Sequence, residues 1–196
     1  MPSTRAAADT LPGKVPTGIP GFDDLTGGGL PRGRTTLLVG GPGRGKSTFI
    51  KSLLLGLAAT RTPRDLNMYV FDFGSDGLKD IRDLPHIGAV IKPADAARVD
   101  QMIRMLRNFV NERTERLANY ADLASYNAKN PNAILAEIVF VIDNFIEFKD
   151  NFEHVLPDLM TLVRDGRAFG VYFVITASTA RDLPAGTNVR LSDWRG

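Results

Sequence analysis

Residues 40–48 form the segment whose composition and spacing are best suited to chemistry. The run GGPGRGKST contains the pattern GxxxxGK[ST]. Glycines let the backbone curve so that its N–H groups face phosphate oxygens, and a following helix adds a partial positive charge. In this pattern Lys46 reaches the outer phosphates and the Ser47 hydroxyl binds Mg²⁺. The segment therefore predicts a binding site for a nucleoside triphosphate and its magnesium ion.

The predicted phosphate-binding residues all belong to this one segment. They are Gly40, Gly41, Pro42, Gly43, Arg44, Gly45, Lys46, Ser47 and Thr48. The embedded GxGxG does not have the GxGxxG spacing of a dinucleotide-binding turn, and the lysine-serine pair favours a triphosphate. A glycine-rich turn with a chance lysine is the less favoured interpretation.

A magnesium ion held by one hydroxyl needs a carboxylate nearby, and Asp143 is the best candidate. It follows IVFVI, the most apolar run in the chain, which predicts a central strand. Asp143 and Ser47 are therefore the predicted metal ligands, although Asp143 could instead cap the next turn. Asp72 ends another predicted strand and is either a second carboxylate at this edge or a turn-forming residue. Thr176 ends a third strand, where its hydroxyl either contacts the γ-phosphate or water, or is structural.

Asn144 limits how much catalysis the sequence predicts. Many P-loop ATPases with an additional strand carry glutamate directly after the metal-binding aspartate, as the base that activates water. An amide can orient water but cannot accept its proton, and loss of such a base costs about 10²- to 10⁴-fold in rate. Lys46, Asp143, Asn144 and Thr176 are the predicted catalytic set, with nucleotide binding better supported than hydrolysis.

Apolar runs and periodicity outline the elements that must position these residues. Predicted strands span 35–39, 67–73, 88–91, 138–142 and 170–176; predicted helices span 46–59, 78–84, 94–120 and 152–167. Residues 17–34 predict a docked loop or short helix, and 127–132 a loop. Alternating strands and helices of these lengths indicate an α/β fold, with a mainly parallel sheet between two helical layers.

Composition excludes several other classes of protein. The 196 residues carry a net charge of +2, 43% hydrophobic residues, no cysteine and two histidines. These values exclude a disulfide framework, a thiolate metal site and a cysteine nucleophile, and they predict no strong field for polyanions. The first ten residues lack the apolar core of a signal peptide, so we expect a cytoplasmic location.

Most of the chain resembles FtsK/SpoIIIE-type ATPase domains, in particular the ATPase modules of EccC-like type VII secretion proteins. The matching stretches are RTPRDLNMYVFDFGSDGLKDIRDLPHIGAVI, IVFVIDNF and LVRDGRAFGVYFVITAS. The resemblance covers about residues 35–193 and implies a RecA-like, additional-strand P-loop core. It also implies ATP and Mg²⁺ as cofactors, assembly into homo-oligomers or tandem modules, and translocation of DNA or secreted protein.

A segment before the phosphate loop is similar to RecA/KaiC-family ATPases. It consists of TGIPGFDDL at 17–25 and GGGLPRG at 27–33. That family would place its catalytic glutamate after the second strand, where this chain has Asp72 and Phe73. Arg164 and Arg167 occupy positions where the FtsK-type family could place arginine fingers, but exposed arginines at a helix end are the favoured interpretation.

Three functions remain open from the sequence. The first is an FtsK/EccC-type motor module with weak or partner-dependent hydrolysis, joined to a membrane only through segments outside this chain. The second is a RecA/KaiC-like regulatory or recombination ATPase. The third is a structural module gated by nucleotide that it does not turn over. In each case residues 1–16 are expected to form a disordered leader and residues 17–196 one ATPase domain, cut short at its carboxyl end.

Overall fold

The computed structural model describes residues 13–31, 35–41, 43, 45–74 and 76–183. Near its amino end, strand β1 (Lys14–Val15) pairs antiparallel with β2 (Leu30–Pro31), and helix α1 (Pro20–Leu25) lies between them in sequence. Most of the expected leader lies outside the described residues, whereas its last part contributes β1. The short docked helix expected within residues 17–34 is present as α1, whose Phe22 ring packs edge-on against Phe49 at 4.8 Å.

The central sheet has five strands, all parallel. They are β3 (Thr36–Val39), β4 (Leu66–Asp72), β5 (Ile87–Ile91), β6 (Glu137–Asp143) and β7 (Val171–Ala177). Their order is β3-β7-β6-β4-β5, so β7 lies between the strand that precedes the phosphate loop and the strand that ends at Asp143. The predicted strands and the additional-strand arrangement are confirmed.

The helices cover both faces of this sheet, as predicted. Besides α1 they are α2 (Lys46–Thr60), α3 (Ala96–Leu117), α4 (Leu123–Lys129), α5 (Phe145–Asn151) and α6 (Leu156–Asp165). Short 3-10 helices span Lys79–Ile81, Glu153–Val155, Gly166–Phe169 and Ala180–Asp182. Among the described residues, no helix combines the length and apolar character that crossing a bilayer requires.

Side-chain size differs between the two faces of the sheet. On β6, Phe140 and Ile142 belong to a large aromatic core shared with α3, α5 and α6, whereas Val139 and Val141 belong to a second core shared with α2. Successive side chains of a strand point to opposite faces, so the residue after Ile142 belongs on the α2 face. This alternation directs Asp143 toward the start of α2.

The structure differs locally from the predictions at four places. The helix expected over 78–84 is present only as the 3-10 helix Lys79–Ile81. The loop expected over 127–132 is wrong at its start, because α4 extends to Lys129; Asp122 caps this helix by accepting a 2.7 Å hydrogen bond from the Ser125 amide. Helix α5 was not predicted, since its seven residues are too few to show a clear period. The helix expected over 152–167 is divided into a 3-10 turn, α6 and a second 3-10 turn, with Pro157 in the first turn of α6.

Candidate nucleotide-binding site

The carboxyl ends of the parallel strands bring the predicted site residues to one edge of the sheet. The Ser47 hydroxyl, in the first turn of α2, donates a 3.1 Å hydrogen bond to Oδ2 of Asp143 at the end of β6. The Thr176 hydroxyl, on the neighbouring strand β7, donates a 2.6 Å bond to the other carboxylate oxygen, Oδ1. Both oxygens of the buried Asp143 carboxylate therefore have a defined partner.

Thr176 connects Asp143 to the next residue. Its oxygen accepts a 2.9 Å hydrogen bond from the backbone N–H of Asn144. Thr176 is fully buried, and its single hydroxyl hydrogen is directed at Asp143. This geometry favours a positioning role for Thr176 over direct contact with phosphate.

The phosphate loop curves back from β3 into α2. Gly43 and Gly45 have φ of +72° and +74°, a backbone region that residues with a Cβ rarely adopt. The Lys46 ammonium donates hydrogen bonds to the carbonyls of Gly40 and, at 3.2 Å, Gly41, so it lies inside the curve of the loop. A phosphate oxygen bound there would replace these carbonyls as the acceptor for Lys46.

A cleft of about 520 Å³ opens beside the loop, within the range of small-ligand sites. The loop and the start of α2 line it with Gly43, Gly45, Lys46, Ser47 and Thr48. The opposite wall consists of Phe73, Gly74, Asp143, Asn144 and Ser178. Pro42 and Arg44 lie outside the described residues.

The arrangement of Ser47 and Asp143 fits a magnesium ion. Mg²⁺ binds oxygens at about 2.1 Å in an octahedron, which places neighbouring ligands about 3 Å apart. The observed separation of 3.1 Å between Ser47 Oγ and Asp143 Oδ2 matches one edge of such an octahedron. Among the described residues no group of three or more acidic or histidine side chains could hold a metal, so phosphates and water would supply the other ligands.

Asn144 has an unusual backbone conformation, and its side chain is hydrogen-bonded. Its φ of +66° lies in the left-handed region, which asparagine tolerates better than most residues with a Cβ. Its side-chain Nδ2 donates a 3.1 Å hydrogen bond to the carbonyl of Phe73, the residue after β4. Asn144 lines the cleft and also connects the ends of two neighbouring strands.

Asp72 lies directly beside Asp143, because the two are partners in the register of β4 and β6. It is 1% exposed, and its Oδ2 accepts a 3.3 Å hydrogen bond from the Leu78 backbone, which closes the loop after β4. Burial raises the pKa of the Asp72 carboxyl above its usual range, and the charge of Asp143 raises it further. Asp72 is thus at the predicted edge, but it does not line the cleft.

The arginine-finger candidates lie at the other edge of the sheet. Arg164 is in the last turn of α6 and Arg167 in the 3-10 helix that follows, just before β7 begins at Val171. Both are exposed, and Arg164 forms a 2.8 Å ion pair with Asp165. Within one subunit they are therefore remote from the cleft, which lies beyond the carboxyl end of β7.

The structure adds residues that sequence reasoning did not select. Ser178 and Phe73 line the cleft, and Gly74 and Gly77 lie against Asp143 and Ser47, respectively. The available signal is the sequence FGSDG after the predicted second strand, whose glycines by themselves indicate only a turn. The closeness of its glycines to the metal ligands depends on packing between distant segments.

Comparison with known proteins assigns the chain to a family. The profile described as the FtsK/SpoIIIE family matches residues 11–184. This chain belongs to the FtsK/SpoIIIE family. The match includes residues 17–33, so the segment similar to RecA/KaiC ATPases lies within the region that the FtsK/SpoIIIE profile covers.

Relatives of this FtsK/SpoIIIE domain include type VII secretion proteins. It is 31% identical over 166 residues to the ESX-1 secretion system protein EccCb1 of Mycolicibacterium smegmatis, covering 80% of this chain and 27% of that protein. Its fold is similar to the cytoplasmic domain of EssC, with a TM-score of 0.76 and 27% identity over 80% of this chain and 31% of the other.

A second similar structure contains a bound peptide. It is Thermomonospora curvata EccC, ATPases 2 and 3, in complex with a signal sequence peptide, with a TM-score of 0.68 and 25% identity. The alignment covers 78% of this chain and 29% of that one. The chain thus spans less than a third of each of these three proteins, and corresponds to an ATPase module within them.

Proposed function

We propose that this chain binds Mg·ATP in the cleft and works as an ATPase module of a secretion motor. The observation that carries the proposal is the 3.1 Å contact between Ser47 and Asp143 in the cleft that Lys46 also lines. These three groups come from two segments far apart in the sequence, and they converge at the carboxyl edge of the sheet. Ligands bind at this edge in parallel α/β folds generally.

Each group has a distinct role in this proposal. The loop amides and the start of α2 bind the phosphates, and Lys46 contacts their outer oxygens. Ser47 and Asp143 hold Mg²⁺, while Thr176 orients the Asp143 carboxylate. The bound metal ion would neutralise charge that develops on the phosphate oxygens.

Hydrolysis is proposed to be slow in the isolated chain. An activating base must accept a proton from water, and the Asn144 amide cannot do so. In addition, the Asn144 side chain donates a hydrogen bond to the Phe73 carbonyl, so its amide hydrogens are partly used within the protein. Turnover would then depend on a neighbouring subunit or tandem module, for which an arginine supplied in trans has precedent in other P-loop enzymes.

The proposed substrate is a secreted protein rather than DNA. The similar EccC structure contains a signal sequence peptide, which supports a protein substrate for the module. The net charge of +2 gives little support for a nucleic-acid surface. We propose a cytoplasmic location, at the inner face of a membrane complex that this chain reaches only through other segments or partners.

The hydrogen bond from the Asn144 side chain to the Phe73 carbonyl also favours a second candidate function. In this alternative the module binds ATP to stabilise an interface between modules, and it does not turn the nucleotide over. Single-turnover phosphate release, measured at several protein concentrations alongside sizing chromatography, separates the two functions. Release that rises as the protein assembles supports the motor, whereas assembly with nucleotide but without release supports the structural module.

Nucleotide binding itself is tested by calorimetric titration with the non-hydrolysable analogue AMP-PNP and Mg²⁺. Lys46→Ala is expected to abolish binding. Lys51→Ala is a matched control, because Lys51 lies on the same helix but pairs with Asp80 at 2.7 Å. Absence of binding by the unmodified chain, or equal affinity in Lys46→Ala, would contradict the assignment of the phosphate loop.

A further inference from the structure

Two glycines in the loop after β4 lie against the two proposed metal ligands. We call residues 73–74 and 76–78 the β4 loop. A Cβ built on Gly77 would stand 2.9 Å from the Ser47 Cβ and 3.2 Å from its Oγ. A Cβ built on Gly74 would stand 2.7 Å from Asp143 Oδ2, the oxygen that accepts from Ser47. The 2.9 Å and 2.7 Å distances are shorter than real Cβ contacts, and the 3.2 Å distance is tighter than most of them.

Glycine is required at these two positions because there is no room for a Cβ atom. Neither Gly74 nor Gly77 has a positive φ, so alanine could adopt either backbone conformation. The neighbouring atoms, however, have little freedom to move away. Ser47 Cβ is attached to the first turn of α2, and the Asp143 carboxylate is held through both oxygens.

The β4 loop itself is anchored at several points. Its first carbonyl, on Phe73, accepts from Asn144, and its last amide, on Leu78, donates to Asp72. The Leu78 side chain is fully buried in the core beneath α2. Asp76, within the loop, forms a 2.5 Å ion pair with Lys92 after β5. A loop held in this way cannot easily retreat from an added methyl group, so the metal ligands would have to move instead.

We infer that Gly74 and Gly77 are positioning residues for the magnesium ion: their missing side chains allow Ser47 and Asp143 to stand one octahedral edge apart. The inference rests on the proposed function, since it names residues that set the metal geometry of the same site. Gly74 lines the cleft, whereas Gly77 is not among its lining residues. Substitution of Gly77 should therefore affect only the Mg²⁺-dependent part of nucleotide affinity, and substitution of Gly74 should affect that part most.

The test is a calorimetric titration with AMP-PNP, with Mg²⁺ and with EDTA, on Gly74→Ala, Gly77→Ala and a control. Gly21→Ala is the control, because no atom beyond its chain neighbours and its own helix backbone lies within 4 Å of the added Cβ. In Mg²⁺ both test variants should lose roughly 10- to 100-fold in affinity, as is typical when the support of a metal ligand is changed. In EDTA the affinity of Gly77→Ala should equal that of the unmodified chain, the loss in Gly74→Ala should be smaller than in Mg²⁺, and Gly21→Ala should match the unmodified chain in both conditions.

A double-mutant cycle checks that Gly77 acts through Ser47. Gly77→Ala should lower the midpoint of urea unfolding in the unmodified background and have a smaller effect in Ser47→Gly, which removes the opposing Cβ. If Gly77→Ala lowers the midpoint of urea unfolding equally in both backgrounds, the inferred contact between Gly77 and Ser47 is wrong. This comparison remains informative when Gly77→Ala is poorly stable. Magnesium-dependent binding that is unchanged in the alanine variants would overturn this inference alone, whereas no binding by the unmodified chain would overturn the proposed function and this inference together.

Discussion

The side-chain amide of Asn144 donates a 3.1 Å hydrogen bond to the carbonyl of Phe73. This bond joins the residue after β6 to the residue after β4 at the edge where nucleotide is proposed to bind. It also explains why asparagine suits this position better than glutamate would. Glutamate has no side-chain donor at neutral pH, so it could not make this bond.

Substitutions of Asn144 should separate the hydrogen bond from the backbone conformation. Asn144→Gly loses the bond and adds conformational entropy to the unfolded chain, but glycine adopts the φ of +66° without strain. Asn144→Ala loses the bond and gains strain, so its free energy of unfolding should be lower than that of Asn144→Gly by about 1 kcal/mol. Urea unfolding monitored by circular dichroism measures this difference, and equal stability of the two variants would contradict it.

A second substitution of Asn144 tests whether the absence of a base limits hydrolysis. Asn144→Glu should lower stability through loss of the Phe73 contact, and it should raise single-turnover phosphate release about tenfold or more by supplying a proton acceptor. If a stably folded Asn144→Glu protein releases phosphate no faster, then another group or an assembly step limits the reaction.

Thr176 should act by orienting the Asp143 carboxylate rather than by contacting the nucleotide. Thr176→Val keeps the shape but removes the hydroxyl, which leaves Asp143 Oδ1 and the Asn144 amide without this partner. We expect a loss of about 1–3 kcal/mol in the free energy of unfolding and weaker Mg²⁺-dependent nucleotide binding. Thr176→Ser retains the hydroxyl and is the control. Comparable defects in both variants, measured by urea unfolding and calorimetry, would assign the effect to packing.

Arg113 should stabilise the opposite edge of the sheet. This buried side chain donates 2.6 Å hydrogen bonds to the carbonyls of Phe169 and Ala136, and burial lowers the pKa of its guanidinium. Arg113→Met should reduce the free energy of unfolding by about 1–3 kcal/mol, because two carbonyls lose their donor while relief of the buried charge offsets part of that loss. The exposed Arg116, paired with Glu112 on the same helix, provides the control Arg116→Met, which should cost at most about 0.5 kcal/mol.

Stability near the amino end should depend on pH through Asp23. Its carboxylate accepts hydrogen bonds from the Thr17 hydroxyl at 2.6 Å and from the Thr17 and Gly18 amides, which lower the pKa of Asp23. A carboxyl with a lowered pKa stabilises the fold above its unfolded value, about 3.9, and loses that contribution as pH falls through the folded pKa. Thermal unfolding of Asp23→Asn should therefore change less between pH 6 and about pH 3 than that of the unmodified chain. Asp24→Asn, at the exposed neighbouring position, should retain the full pH dependence.

The order of elements was predictable because their signals are local. Five buried strands produce apolar runs, and α2 and α3 are long enough to show a helical period. Helix α5 has seven residues and is almost entirely determined by packing, with Phe145 and Phe148 buried in the aromatic core. The segment 127–129 looked like a loop because asparagine and lysine are common in loops, yet the Asp122 cap and the burial of Tyr126 make it helical.

By itself, the sequence determined the phosphate loop, the alternating α/β order and the family, because each is written in contiguous residues. Only the tertiary structure decided what Asp143, Thr176 and Asn144 contact. Ser47 and Asp143 are 96 positions apart, and whether their oxygens meet depends on strand order, on the face to which a side chain points and on how α2 packs against the sheet. The closeness of Gly74 and Gly77 to these ligands likewise depends on packing, because only the tertiary structure shows which atoms occupy the space that a Cβ would need.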